Sequence, residues 1–207
     1  MEENIETVNQ ETFDRIWKIV REIFVAERHF NDLQARYRSM ASVWLLATFA
    51  AIGFVISKTI SIGIDPELLV AGIAVAGCIG IALLWVLDVL VYHRLLDSCF
   101  IEGLTLEEKY TWLPPFRINM MKTQKGAGVL FRVVGFYLGP VVLLILVAGG
   151  ALSLWLAREH WLAGLLCFGL SIVVAVLAGY LIVSKTANTA TIEKRLAETK
   201  KSEYSTG

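Results

Sequence analysis

Leu68–Leu87 reads LLVAGIAVAGCIGIALLWVL, a run without Asp, Glu, Lys or Arg that ends directly against Asp88. A helix needs about 20 apolar residues, at ~1.5 Å each, to cross a ~30 Å hydrocarbon core. Three further blocks have the same character: Ser39–Ser57, Val133–Ala157 and Trp161–Ser184. Their polar residues are isolated Ser, Thr, Trp, Tyr and Cys. A chain of 207 residues has too little polar surface to hide four such helices in a soluble core. The blocks therefore predict an all-α, polytopic membrane protein. Its plan is a four-transmembrane-helix bundle preceded by a long N-terminal cytoplasmic amphipathic helix, with both termini cytoplasmic.

The expected division is a cytoplasmic helix over 1–38, a membrane domain over 39–184 and a cytoplasmic helical extension with a disordered tail over 185–207. The spans fall at about 39–62, 67–92, 129–157 and 160–185, with a cytoplasmic loop over 93–128. Composition agrees, since charged residues make up 18% of the chain where soluble domains carry about 25%. Nineteen basic and nineteen acidic residues cancel, which leaves no global field to attract nucleic acid. The first forty residues are rich in charge and lack the short apolar core of a cleavable signal, so the first span should act as an uncleaved anchor.

Orientation follows from Lys and Arg. Six precede the first span, six lie between the second and third, and five follow the fourth; the two remaining connectors hold only Lys58 and Arg158. This asymmetry places both termini and the central loop in the cytoplasm, with a bacterial inner membrane as the expected location. Trp155 and Trp161 flank the second outer connector, as interfacial tryptophans do. Gly63 and Pro66 break one helix and start the next, and Arg158-Glu159-His160 allows only a tight turn.

Phe13, Ile16, Val20, Ile23, Phe30 and Tyr37 recur at 3-and-4 spacing, with Glu27 and Gln34 on the same stripe and Trp17 and Phe24 widening it. Three arrangements suit this helix: lying on lipid headgroups, packing on the chain's own central loop, or forming a coiled-coil seam between copies. Protein packing is favoured, because the stripe leads straight into the first span. A continuous helix from about Thr7 to Ser57 would then project as a stalk.

In the central loop, Thr105-Leu106-Glu107-Glu108 has the spacing of a capping box, and a short helix is expected after it, ending at Trp112-Leu113-Pro114-Pro115. The loop reads either as an ordered elbow under the membrane or as a docking surface with Trp112, Phe116, Met120 and Met121 as anchors. Beyond Ser184 the helical pattern should continue to about Lys200 as a solvated extension.

Asp88 is the acidic residue that abuts a span without a turn around it, and a charge near lipid pairs or faces water. Arg132, at matching depth at the start of the third span, is the expected partner in an inter-helix ion pair, with Tyr92 as a hydrogen-bond donor. The alternative is that both snorkel separately to the interface. Gly72, Ala76 and Gly80, then Gly135 and Gly139, then Ala175 and Gly179 repeat at four-residue spacing, which lets backbones approach within a chain or between copies. Pro140 should kink the third span.

Cys78, Cys99 and Cys167 show no CxxC spacing, and His29, His93 and His160 lie in separate regions. No nucleophile motif, phosphate loop or intramembrane acid pair appears, so neither an enzyme nor a cofactor is expected. The leading expectation is a homo-oligomeric membrane protein, a signal-gated pore or membrane-perturbing effector. So few intramembrane polar groups require the pore to lie at a subunit axis. An accessory subunit that recruits a cytoplasmic partner through 7–38 and 104–122 is the alternative, and a small transporter a lesser one. The expected partners are the bilayer, further copies of the chain and a cytoplasmic protein.

Overall fold

The computed structural model describes residues 9–57, 63–123 and 128–187, with the side chains of 122–123, 128–132 and 187 outside that description. The described residues are all-helical, and four helices are long and apolar enough to cross a membrane. The proposed helical tail to Lys200 and the last residues of the first span lie outside the described residues.

No Gly or Pro occurs between Gln10 and Ile52, and α1 runs unbroken over Gln10–Ser57. Its 48 residues extend ~72 Å at 1.5 Å each, more than twice a ~30 Å hydrocarbon core. Gly63 turns the chain with φ +74°, and extended Asp65 with Pro66 behind it starts α2, Pro66–Trp85. The chain then passes through a π-helical segment, Val86–Tyr92, into α3, His93–Lys109, without a break. A second rod thus lies antiparallel to α1. Its lower half packs on the first span and its upper half on the stalk.

The capping box proves to be mid-helix. Thr105 lies inside α3 and its hydroxyl donates to Ile101 O, 2.9 Å away, as a helical Ser or Thr does within its own turn. The helix ends at Lys109, two prolines follow, and α4 is Phe116–Thr123. Ile16, Val20 and Leu113 form a small core where α1 meets this elbow, with Phe24, Leu106 and Trp112 around it.

The remaining helices are α5, Gly128–Ala157, and α6, Trp161–Ala187. The principal neighbours run in the order α1, α2, α5, α6, so the membrane helices form a row more than a closed bundle. The main core lies along α2 and α5, where Ala74, Ile81, Tyr137 and Leu144 are almost wholly buried. At the end away from the stalk, Trp155 Nε1 donates to Asp65 Oδ2 at 2.6 Å and Arg158 pairs with Glu67, tying the two connectors together.

Close approach uses small residues, although not all those in the four-residue repeats. A Cβ at Gly77 would collide with Thr48, one at Gly80 with the Trp44 indole, and one at Gly149 with Ser171; one at Gly179 would press on Leu138. Trp44 Nε1 also donates to Gly77 O at 3.2 Å. Ala175 is buried. Gly72, Ala76, Gly135 and Gly139 are exposed, and a Cβ at any of these three glycines would meet nothing within 4 Å. Gly80→Leu should therefore cost ~1–3 kcal/mol by overpacking, and Gly72→Leu close to nothing, read as unfolding midpoints in one detergent. A loss of assembly by Gly72→Leu without loss of stability would mark that face as a contact between copies.

Candidate functional site: the junction of stalk and membrane helices

Asp88 is the first charged residue after the second span and Arg38 the last before the first. Antiparallel helices bring both to the same depth. Arg38 Nε donates to Asp88 Oδ2 at 2.8 Å, and the Tyr137 hydroxyl of α5 donates to the same oxygen at 2.9 Å. The Asp88 side chain is 0% exposed, while that of Arg38 is 38% exposed. Three elements, α1, the π-helical segment and α5, therefore close on one carboxylate.

The backbone supports this arrangement. Asp88 O accepts the His93 N–H five residues on, the spacing that defines the π segment. Gln34 Nε2 reaches the same oxygen at 3.5 Å and stands 3.4 Å from His93 Nδ1. Tyr37 and Tyr92 stack at 5.1 Å with their hydroxyls hydrogen-bonded. Tyr92 thus bonds Tyr37, and the tyrosine that donates to Asp88 is Tyr137. Arg132 lies in α5 with its side chain outside the described residues, so the expected Asp88–Arg132 pair falls outside them; among the described residues the Asp88 carboxylate is bonded by Arg38 and Tyr137. Pro140 sits inside continuous α5, one turn from Tyr137.

A second polar cluster fastens the far end of the stalk. Arg117 is 1% exposed, its Nε donating to Glu27 Oε1 at 2.9 Å and its Nη1 to Glu107 Oε1 at 3.2 Å. Glu107 also accepts the backbone N–H groups of Arg117 and Ile118, capping α4 from another helix. The guanidinium lies 4.5 Å from the Phe24 ring centroid and crosses Gly103, where any Cβ would strike it. Glu27 and Gln34, the two polar residues on the apolar stripe of α1, are thereby accounted for: each faces a buried partner.

Between the clusters, His93 Nε2 stands 3.9 Å from Asp97 Oδ1. Asp97 lies beyond the apolar block, where burial pushes its carboxyl above the ordinary 3.8 and His93 partly offsets the rise. A raised acid contributes stability that is present below the ordinary value and lost as pH rises through the raised one. Asp97→Asn should thus flatten the decline of the unfolding midpoint from acid towards neutral pH. An identical slope in both chains would contradict this.

The docking residues divide. Phe116 and Met120 are 57% and 59% exposed, Met121 is half-buried, and Trp112 is half-buried with its ring 4.8 Å from that of Phe13. Among the described residues no three His, Cys, Asp or Glu side chains converge. The geometry suits mechanical coupling: fixed charges lock a stalk to membrane helices at one point and close the stalk on itself at another. Comparison of the chain with family models, curated proteins and solved structures finds no match, so this geometry is what the functional reading rests on.

Proposed function

We propose that the chain is a homo-oligomeric, multi-pass membrane protein in which a cytoplasmic stalk governs the membrane helices, acting as a signal-gated pore or membrane-perturbing effector. The observation that carries this reading is the single 48-residue helix α1, which is both stalk and first span and is pinned where the two meet by Arg38 to Asp88. Rotation or tilt of the stalk moves the first span with it, and the shared carboxylate passes that movement to α5 through Tyr137. The Lys and Arg asymmetry of the connectors supports a cytoplasmic stalk and cytoplasmic termini, with a bacterial inner membrane as the proposed location.

A pore at a subunit axis suits these side chains better than one within a copy. The buried acid at membrane depth is spent on Arg38 and Tyr137, and the core beyond it is apolar. Among the described residues the principal neighbour of α6 is α5, and its other faces carry a wide apolar surface for lipid or another copy. The test is dye and ion release from liposomes carrying the native chain or Arg117→Met, which loosens the stalk. The expected result is a leak rate that differs between the two chains. No leak from either removes the pore reading.

The exposure of Phe116 and Met120 outside the apolar spans favours a second reading, an accessory subunit that docks a cytoplasmic protein there. It requires no conductance, and loss of partner binding in Phe116→Ser/Met120→Ser.

A further inference from the structure

α1 and α5 both pack on α2 and stand apart from each other, and the gap between them is a groove of ≈ 270 Å³. Its α1 wall runs from Ala41 to Phe49, ~12 Å of helix at 1.5 Å per residue; Ile81 lines it from α2, and Phe136 and Pro140 from α5. The two hydroxyls on the lining are already engaged, Ser42 donating to Arg38 O and Tyr137 to Asp88 Oδ2. The groove therefore offers hydrocarbon contact along its length and no free polar group, which suits an alkyl chain and not a polar solute.

One end of the groove differs. Tyr137 lines it and also closes the Asp88 cluster, and Arg38 lies one helical turn before Ala41 and Ser42. Arg38 commits Nε to Asp88 and reaches Asp88 Oδ1 and Gln34 Oε1 with Nη2 at 3.5 Å, while its Nη1 has no partner among the described residues and its side chain stays 38% exposed. Asp88 is 0% exposed behind it, so the charge presented to the surroundings at this point is positive. A guanidinium edge beside an apolar groove, at the depth where a span begins, matches a phosphate beside its acyl chain.

We infer that this groove binds one anionic phospholipid of the bilayer, an acyl chain lying between α1 and α5 and the phosphate on Arg38. The lipid wedges apart the two helices that Asp88 joins, so its occupancy sets the spacing of α1 and α5. The site depends on the chain spanning a bilayer and is independent of whether copies form a pore.

The experiment is native mass spectrometry of the detergent-purified chain titrated with phosphatidylglycerol or with phosphatidylcholine of the same acyl chains. The expected result is one retained phosphatidylglycerol per chain, with affinity about tenfold above phosphatidylcholine from the charge-assisted contact. Ser42→Trp, which fills the groove from an exposed position, should abolish that retention; Leu46→Trp serves the same purpose if Ser42→Trp does not fold. Equal retention of both lipids, or full retention of phosphatidylglycerol by a folded groove-filled variant, overturns the assignment.

Discussion

Arg38→Ala should lower the stability of the detergent-solubilised chain by ~3–5 kcal/mol, because it strips the cation from a carboxylate with no access to solvent. Removing one member of a buried pair leaves the other charge uncompensated, and Tyr137 alone supplies a single neutral hydrogen bond. At ~2–4 °C per kcal/mol for a chain of this size, the unfolding midpoint should fall by on the order of 10 °C. Asp88→Asn should cost less, about 1–2 kcal/mol, since the amide keeps the shape and the partly exposed Arg38 can turn to water. The double variant, Arg38→Ala with Asp88→Asn, should then resemble Asp88→Asn alone. Two single costs that simply add would mean that the charges do not interact.

Arg117→Met should have an effect of similar size, ~3–5 kcal/mol, confined to the stalk. It leaves Glu27 and Glu107 facing each other across a site from which water is largely excluded. Glu107 keeps the backbone N–H groups of α4, so the elbow stays capped while its link to α1 is lost. Hydrogen exchange is the suitable readout. Protection should drop across Leu106–Thr123 and the facing half of α1, and remain in α2 and α5. A uniform loss of protection through α1 to α6 would instead make the stalk and membrane helices one cooperative unit.

The four spans were legible because lipid permits few alternatives to an uncharged helix of sufficient length. The continuity of α1 was equally open to reading, since nothing between Gln10 and Ile52 interrupts a helix. The stripe also flagged Glu27 and Gln34 as misfits in an apolar face. Their partners were beyond local periodicity: Arg117 is 90 residues from Glu27, and Asp88 54 from Gln34. The Arg38–Asp88 pair carried a usable signal, the two charges that border successive antiparallel spans on the same side. Tyr137 carried none, for a lone tyrosine inside a span reads as an interfacial or packing residue.

The capping-box pattern at Thr105 misled because Ser or Thr followed by Glu suits a helix interior as well as a start. Gly103, two residues before it, lies inside the same helix and serves as the passage for Arg117. Four-residue spacing of small residues located the right helices and only part of the right faces. Each step of four turns about 40° beyond a full helical circle, so Gly72 and Gly80 differ by about 80°. Gly80 meets Trp44, while Gly72 has rotated away from any neighbour in the chain.

The most direct measurement is the native mass of the full chain purified in detergent with its co-extracted lipid. The expected result is a closed ring of about four or more copies, which supplies the subunit axis that a pore between such apolar helices requires. A clean monomer would contradict the account, since a single row of four helices encloses no path for ions.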